Sequence, residues 1–235
     1  MSRKSLCLGT GILLLLAGSV GLVLLLLMRH EPHFYRRAAV PPGPERLALS
    51  TAFIGKVSSF LSSVKGNPTW HETFSEEQIN SFCEEHFLRS EAKSLTLPEH
   101  ITDPRVSFES DRLRLGFRYH VGRFSTVVSI DMRVWLAKED PNVAALEIQG
   151  MRAGALPVSA QSILERLSDA AESNNIKLSW YRRQGNPVAV LRFQSEDTRT
   201  TVLLENLDLQ AGKIYIQGQS LEPGAPVMPS GGARQ

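Results

Sequence analysis

The stretch RLRLGFRYHVGRFSTVVSIDMRVWL, residues 112–136, decides the fold. In its first part Leu113, Leu115, Phe117, Tyr119 and Val121 are apolar, and Arg112, Arg114, Gly116, Arg118 and His120 fall between them. From Phe124 the apolar side passes to the even positions, with Val128, Ile130, Met132, Val134 and Leu136. A period of two over this length marks strands with one buried face. Gly122-Arg123 between the runs has the Gly-x form of a type II′ turn, which suits a two-residue hairpin. That turn pairs Val121 with Phe124, Phe117 with Val128, Leu115 with Ile130 and Leu113 with Met132. All these side chains then share one face, so turn chemistry and pattern agree on the register. Arg114 falls opposite Asp131 on the polar face, where Ser129 is expected to tolerate a charge.

Working outward, Glu139-Asp140-Pro141-Asn142 returns the chain to a strand at 144–150, where Leu146 and Ile148 alternate with Glu147 and Gln149. Ser159 caps a helix with apolar positions 160, 163, 164, 167, 170 and 171, ending near Asn174. Short strands follow at 176–182, 188–193, 201–209 and 213–219. The last two turn at Ala211-Gly212, which sets Leu209 against Ile214 and Leu207 against Ile216. Upstream, the two-residue period begins at Arg105. Before it, Ser75 and Gln78 form a capping box, Phe74 and Ile79 a hydrophobic staple, and Ile79, Phe82, Cys83 and Phe87 the apolar stripe of a helix. Pro44-Glu45 opens an earlier amphipathic helix at 45–66, with a near-heptad stripe of Leu47, Ile54, Val57, Leu61 and Val64, Phe53 and Phe60 beside it, and Gly66 as its stop.

Antiparallel strands interrupted by a few helices give an α+β protein, a curved antiparallel sheet packed around one or two helices. The domain proper is expected at 67–222, long enough to bury a core. Residues 223–235, with three prolines, three glycines and no apolar periodicity, read as a disordered tail. At the other end, 24 residues between Lys4 and Arg29 carry no charge. At 1.5 Å per residue they cross a hydrocarbon core of ~30 Å with some tilt to spare. A cleaved signal peptide is the competing reading. It is opposed by an apolar run beyond the usual 7–15 residues and by an end in Leu-Met-Arg-His without a small-x-small site. The expectation is therefore a transmembrane anchor at 1–30, then a stiff, non-helical Pro-rich spacer at 31–44. A short N-terminal tail left in the cytoplasm would put the body outside it, although arginines flank both ends of the span. Ala17 and Gly21, four apart in the span, are a weak helix-pairing signal.

The composition narrows the function. The chain of 235 residues carries a net charge of +2. Residues 1–37 hold Arg3, Lys4, Arg29, Arg36 and Arg37 against Glu31, a net +4, which leaves −2 for residues 38–235. Such a body has no excess positive charge for nucleic acid. Two cysteines, Cys7 and Cys83, make no disulfide framework and no four-ligand zinc site. Gly18-Ser19-Val20-Gly21 has the wrong spacing for a nucleophile elbow, and His71-Glu72 lacks the second histidine of a zincin helix. Cys83 and His86 lie three apart on one helix without a third ligand, and a buried Cys beside a boundary His is the simpler reading. His30 and His33 either sense pH at the membrane surface or merely sit in the spacer. No metal, cofactor or catalytic residue is expected.

The remaining feature is the hairpin itself. Its basic face, Arg112, Arg114 and Arg118 with Arg133 beside them, suits a phospholipid head group or an acidic partner, unless it is a solvated face with Arg114 neutralised by Asp131. Its apolar face, Leu113, Leu115, Phe117, Val128, Ile130 and Met132, is either ordinary core or the lining of a lipid groove.

Four short stretches carry a resemblance: Phe74-Ser-Glu-Glu-Gln-Ile-Asn80, Arg105-Val-Ser-Phe-Glu-Ser-Asp-Arg-Leu-Arg-Leu115, Gly154-Ala-Leu-Pro-Val-Ser159 and Leu209-Gln-Ala-Gly-Lys-Ile-Tyr-Ile-Gln-Gly218. In that order they resemble the capped helix, first sheet hairpin, helix entry and closing hairpin of uncharacterised bacterial single-pass proteins of the YpmS kind, and more distantly tubular lipid-binding domains. The resemblance spans 74–218 and transfers no catalytic residue. It implies a membrane-tethered domain whose curved sheet wraps a helix around a lipid. The expected function is thus a non-enzymatic, membrane-anchored domain that binds lipid or another apolar ligand near the bilayer. The alternative is a structural or assembly factor that contacts another envelope protein.

Overall fold

The computed structural model describes residues 3–89, 100–137, 142–159, 161, 164, 168, 178–192 and 201–221. It shows an α+β protein in which all strand pairs are antiparallel. Helix α1 (Arg3–Met28) leads through the short α2 (His33–Arg37) into α3 (Pro44–Gly66), followed by β1 (Thr69–Ser75) and α4 (Glu76–Arg89). The large sheet begins with β2 (Ile101–Glu109), β3 (Arg112–Val121), β4 (Phe124–Leu136) and β5 (Val143–Ala153). It continues with the two-residue β6 (Leu156–Pro157), β7 (Leu178–Arg183) and β8 (Asn186–Arg192), and β9 (Thr201–Gln210) and β10 (Lys213–Leu221) close the chain. The strands order as β2-β3-β4-β5-β8-β7 with β6 on the end of β5, and as a separate sheet β1-β10-β9.

The deciding hairpin has the register its pattern dictates. Val121 faces Phe124, Leu115 faces Ile130 and Arg114 faces Asp131. Gly122 has φ +56°, the left-handed first position that a type II′ turn requires. The closing hairpin likewise sets Leu209 against Ile214 and Leu207 against Ile216. Phe117, Val128, Ile130, Met132, Ile148 and Met151 form the main core, with Leu164 and Trp180 packed against it. Gln161, Leu164 and Ser168 are helical, and Ser168 accepts a hydrogen bond from the Trp180 indole at 2.8 Å. The rest of the helix expected after Ser159, its end at Asn174, and the tail 223–235 lie outside the described residues.

Strand β2 is an edge, and helix α4 covers it. The Asn80 side chain donates to the Val106 carbonyl and accepts from the Val106 amide, both at 2.8 Å. The Glu76 carboxylate accepts from the Phe108 amide at 2.8 Å, and the Phe108 carbonyl accepts from Gly212 at 3.0 Å. Backbone groups that would otherwise template another strand are thereby satisfied. The capping box forms, with Gln78 N–H donating to Ser75 Oγ at 3.2 Å and Ser75 N–H to Gln78 Oε1 at 3.4 Å.

Helix α3 turns inward on only part of the near-heptad stripe, Val57 and Val64, which are half-buried. Leu47, Ile54 and Leu61 are 56, 44 and 53 % exposed. The inner face joins Arg46 and Ser50, both buried, to Phe53, Val57, Phe60 and Val64. Phe53 meets Phe74 edge-on and Phe82 at a tilt, and Phe60 meets Trp70 and Phe74 edge-on. Buried Arg46 bonds Glu85 at 2.7 Å and approaches Glu84 at 3.9 Å, while Arg105 of β2 holds the other side of Glu84 at 2.7 Å. Aromatic area and a paired charge network outweigh the aliphatic heptad. By length and composition α3 is apolar enough to cross a membrane, although its inner face is tied to α4 and β1.

Candidate functional site

The segment between α1 and α3, expected as a non-helical spacer, contains α2 and lies across the polar face of the large sheet. Phe34 and Tyr35 are buried there with Val127 in a small cluster of their own. Gly116 makes room for them, since a Cβ at that position would come 2.6 Å from the Tyr35 ring. The Tyr35 hydroxyl donates to the Asp103 carbonyl at 2.8 Å, and the Arg105 guanidinium lies 4.4 Å over the Tyr35 ring and donates to its carbonyl at 3.1 Å. Burial raises the Tyr35 phenol from 10.0 to about 12. Glu31 at the start of this strap bonds Arg118 at 2.6 Å, and Asp103 lies 3.4 Å from the same guanidinium.

The end of α1 is fixed to the same sheet. The last carbonyls of a helix have no intrahelical donor and need one from elsewhere. Here Ala155 N–H donates to Leu27 O at 2.8 Å, and the Thr126 hydroxyl donates to Met28 O at 2.6 Å. Gly154, at φ +62°, lies so close that any Cβ would overlap the Leu27 and Met28 carbonyls. Along α1 the side chains from Leu13 to Met28 are exposed apart from half-buried Leu25. Exposed Val121 and Phe124 form the tip of the β3–β4 hairpin, two residues beyond Thr126, and exposed Val158 follows β6.

Between the strap and the sheet lies a cavity of about 520 Å³. From the strap, His30, His33, Phe34 and exposed Arg37 line it, and from the sheet side Glu109, Arg114, Ser129 and Asp131 with exposed Arg112 and Arg152. Arg114 is held by Asp131 at 3.0 Å and Glu109 at 2.9 Å, with Phe34 beneath its guanidinium at 5.7 Å. Among the described residues those two acids are the only carboxylates in the lining, and both are used by Arg114. Arg37, Arg112 and Arg152 make no ion pair among the described residues. Four guanidinium groups against two carboxylates give the lining a net +2 with its histidines neutral.

Of the four arginines singled out from the sequence, Arg112 and Arg114 thus share this cavity. Arg118 is engaged by Glu31 and Asp103 at the far side of the strap, and Arg133 is exposed beside Arg112. Ser129, expected on a solvated face, is 5 % exposed because the strap covers it. On the opposite face Leu113, Leu115, Phe117, Val128, Ile130 and Met132 pack together in the main core. Cys83, half-buried on α4, has its thiol pushed up to about 11 by desolvation, and the His86 ring lies 4.5 Å from that of Phe82. No group of three metal-ligating side chains occurs among the described residues.

Sequence reasoning missed Arg37 and Arg152, and did not connect His30 and His33 with the arginines. Arg37 and the histidines reach the site only because the strap folds back. Arg152 is hidden by a bulge. Strand β5 slips one residue between its pairings with Asp131 and Met132, so Ile148 and Met151 both face the core and Arg152 falls opposite Ser129. No family model, curated protein or solved structure matches the chain.

Proposed function

We propose that this chain is a single-pass membrane protein, with its N-terminus in the cytoplasm and its body outside, that binds lipid beside the bilayer and catalyses no reaction. The observation that carries the reading is the junction of α1 with the sheet. At 26 residues α1 is about 39 Å long, enough to cross a bilayer, and its side chains from Leu13 onward find almost no cover. An apolar rod of this length exposed to water is an aggregation hazard, whereas in a membrane it is at rest. Because its last carbonyls are bonded by Thr126 and Ala155, the sheet has no slack tether and sits directly on the bilayer surface. Val121 and Phe124 lie at that same end and would enter the interfacial layer. A lipid ligand is also what the resemblance of 74–218 to tubular lipid-binding domains implies.

An assembly role is the second reading, favoured by the exposed Leu47, Ile54 and Leu61 ridge on a helix whose other face packs on α4 and β1. One preparation separates the readings. The full chain, extracted from membranes after an alkaline wash, should retain residues 1–28 by intact mass and carry lipid in native mass spectrometry. A chain that begins between Arg29 and Val40, or that is recovered in the wash, refutes the anchor. An anchored but lipid-free chain leaves the assembly role standing.

A further inference from the structure

We propose that the cavity under the α2 strap is a binding site for a phosphate dianion, whether a monoester headgroup or free phosphate. The inference deepens the lipid reading and rests on it only for the source of the phosphate, not for the site itself. Three observations converge. First, the charges in the lining leave an excess of +2, the complement of a doubly ionised phosphate. Second, the excess is spatially organised: Arg114 is saturated by Glu109 and Asp131 and braces the wall, while Arg37, Arg112 and Arg152 come from three separate elements without a carboxylate partner among the described residues. Like charges gathered in a concave site repel, and the chain holds them there although its body is otherwise slightly acidic. Third, guanidinium forks match phosphate oxygens in geometry, and buried Ser129 adds a neutral hydroxyl donor on the floor.

The position favours a lipid as the source. Gly154 and Ala155, which line the cavity, are the residues that pack against the last carbonyls of α1. A phosphate seated on Arg112 and Arg152 would therefore leave its glycerol and acyl chains free to run down beside α1 into the bilayer. A volume of about 520 Å³ accommodates a phosphate with a small polar substituent and excludes a folded partner. His30 and His33, both exposed, stand at the strap side of the opening.

The test uses the full chain in neutral-detergent micelles, offered phosphatidic acid, phosphatidylcholine or inorganic phosphate, with retention read by native mass spectrometry and calorimetry. The wild type should retain phosphatidic acid over phosphatidylcholine. The combined Arg37→Gln, Arg112→Gln and Arg152→Gln variant should lose that preference by about tenfold or more. Arg36→Gln with Arg192→Gln, which removes the same kind of charge outside the cavity, should not. Phosphatidic acid bound far better than inorganic phosphate assigns the site to a headgroup; comparable binding of both assigns it to free phosphate, and either supports the site. If neither is retained, or if the two sets of variants lose binding equally, the site is refuted. Should the triple variant shift its unfolding midpoint, Ser129→Asp, which places a carboxylate on the cavity floor, must abolish retention in its place. Retained phosphate binding in a chain that washes off membranes would leave this site intact and sink the anchor, so the two failures are distinguishable.

Discussion

Tyr35 concentrates much of the strap's attachment in one side chain. It is fully buried, its hydroxyl is bonded to Asp103 and Arg105 lies across its ring. Because burial raises the phenol to about 12, the folded state keeps the proton at a pH where the unfolded chain, near 10, has released it. The folded form then binds more protons, so stability falls as pH rises between those values and is fully present below 10. In the detergent-solubilised chain, Tyr35→Phe should flatten this alkaline fall, measured as the difference in unfolding midpoint between pH 9 and pH 12. An unchanged slope would mean that the phenol is not enclosed in the folded chain. Gly116 is the matching notch. Gly116→Val should unseat the strap at a cost of about 1–3 kcal/mol, seen as new protease cleavage between Arg29 and Val40. None of this was legible in the sequence, where Gly116 is one more member of the polar row and Phe34-Tyr35 a fragment of linker.

At the scale of elements, the hairpin of β3 and β4 could be read residue by residue, since its period and its turn are local properties. Its two faces give a paired test. Ile130→Asp puts an unpaired charge at a fully buried core position and should prevent folding. Ser129→Asp, one residue away, puts the charge beside Arg152, Arg112 and Arg114 and should leave circular dichroism and the unfolding midpoint nearly unchanged. Equal damage from both would contradict the register. Helix α3 was legible as a helix and in part of its inner face, Phe53, Val57, Phe60 and Val64. The inward turn of Arg46 and Ser50 was not, because the decisive partners, Glu84 and Glu85, belong to an element that only the fold brings near. Arg46→Met should cost about 1.5–3 kcal/mol by removing the guanidinium that bonds Glu85 and approaches Glu84, whereas Leu47→Ser on the outer face should cost little in the same denaturation assay. Strand β1 went unread for a local reason: its residues run directly into the capping box at Ser75, and the helix signal masked the short alternation of Trp70 and Phe74.

For the whole molecule, class and the pairing within two hairpins followed from short-range pattern, while the remaining strand order and the candidate site did not. Arg112 and Arg114 were visible as half of it. The other half depends on a bulge in β5 and on a strap that returns over the sheet, both of which are long-range outcomes. The junction of α1 with the end of that sheet, through Thr126, Gly154 and Ala155, would hold the hairpin tip and the cationic cavity at the lipid headgroups. The most direct measurement is the quenching of a tryptophan at the tip, Phe124→Trp, by lipids brominated at increasing acyl depth, in vesicles containing the full chain. Subtracting the wild-type signal removes Trp70, Trp135 and Trp180. The account predicts that shallow bromines quench the added tryptophan most strongly and that Gly154→Val, which pushes the sheet off the end of α1, weakens the effect. If the added tryptophan is quenched only by an aqueous quencher, with or without Gly154→Val, the domain stands away from the bilayer and the account is contradicted.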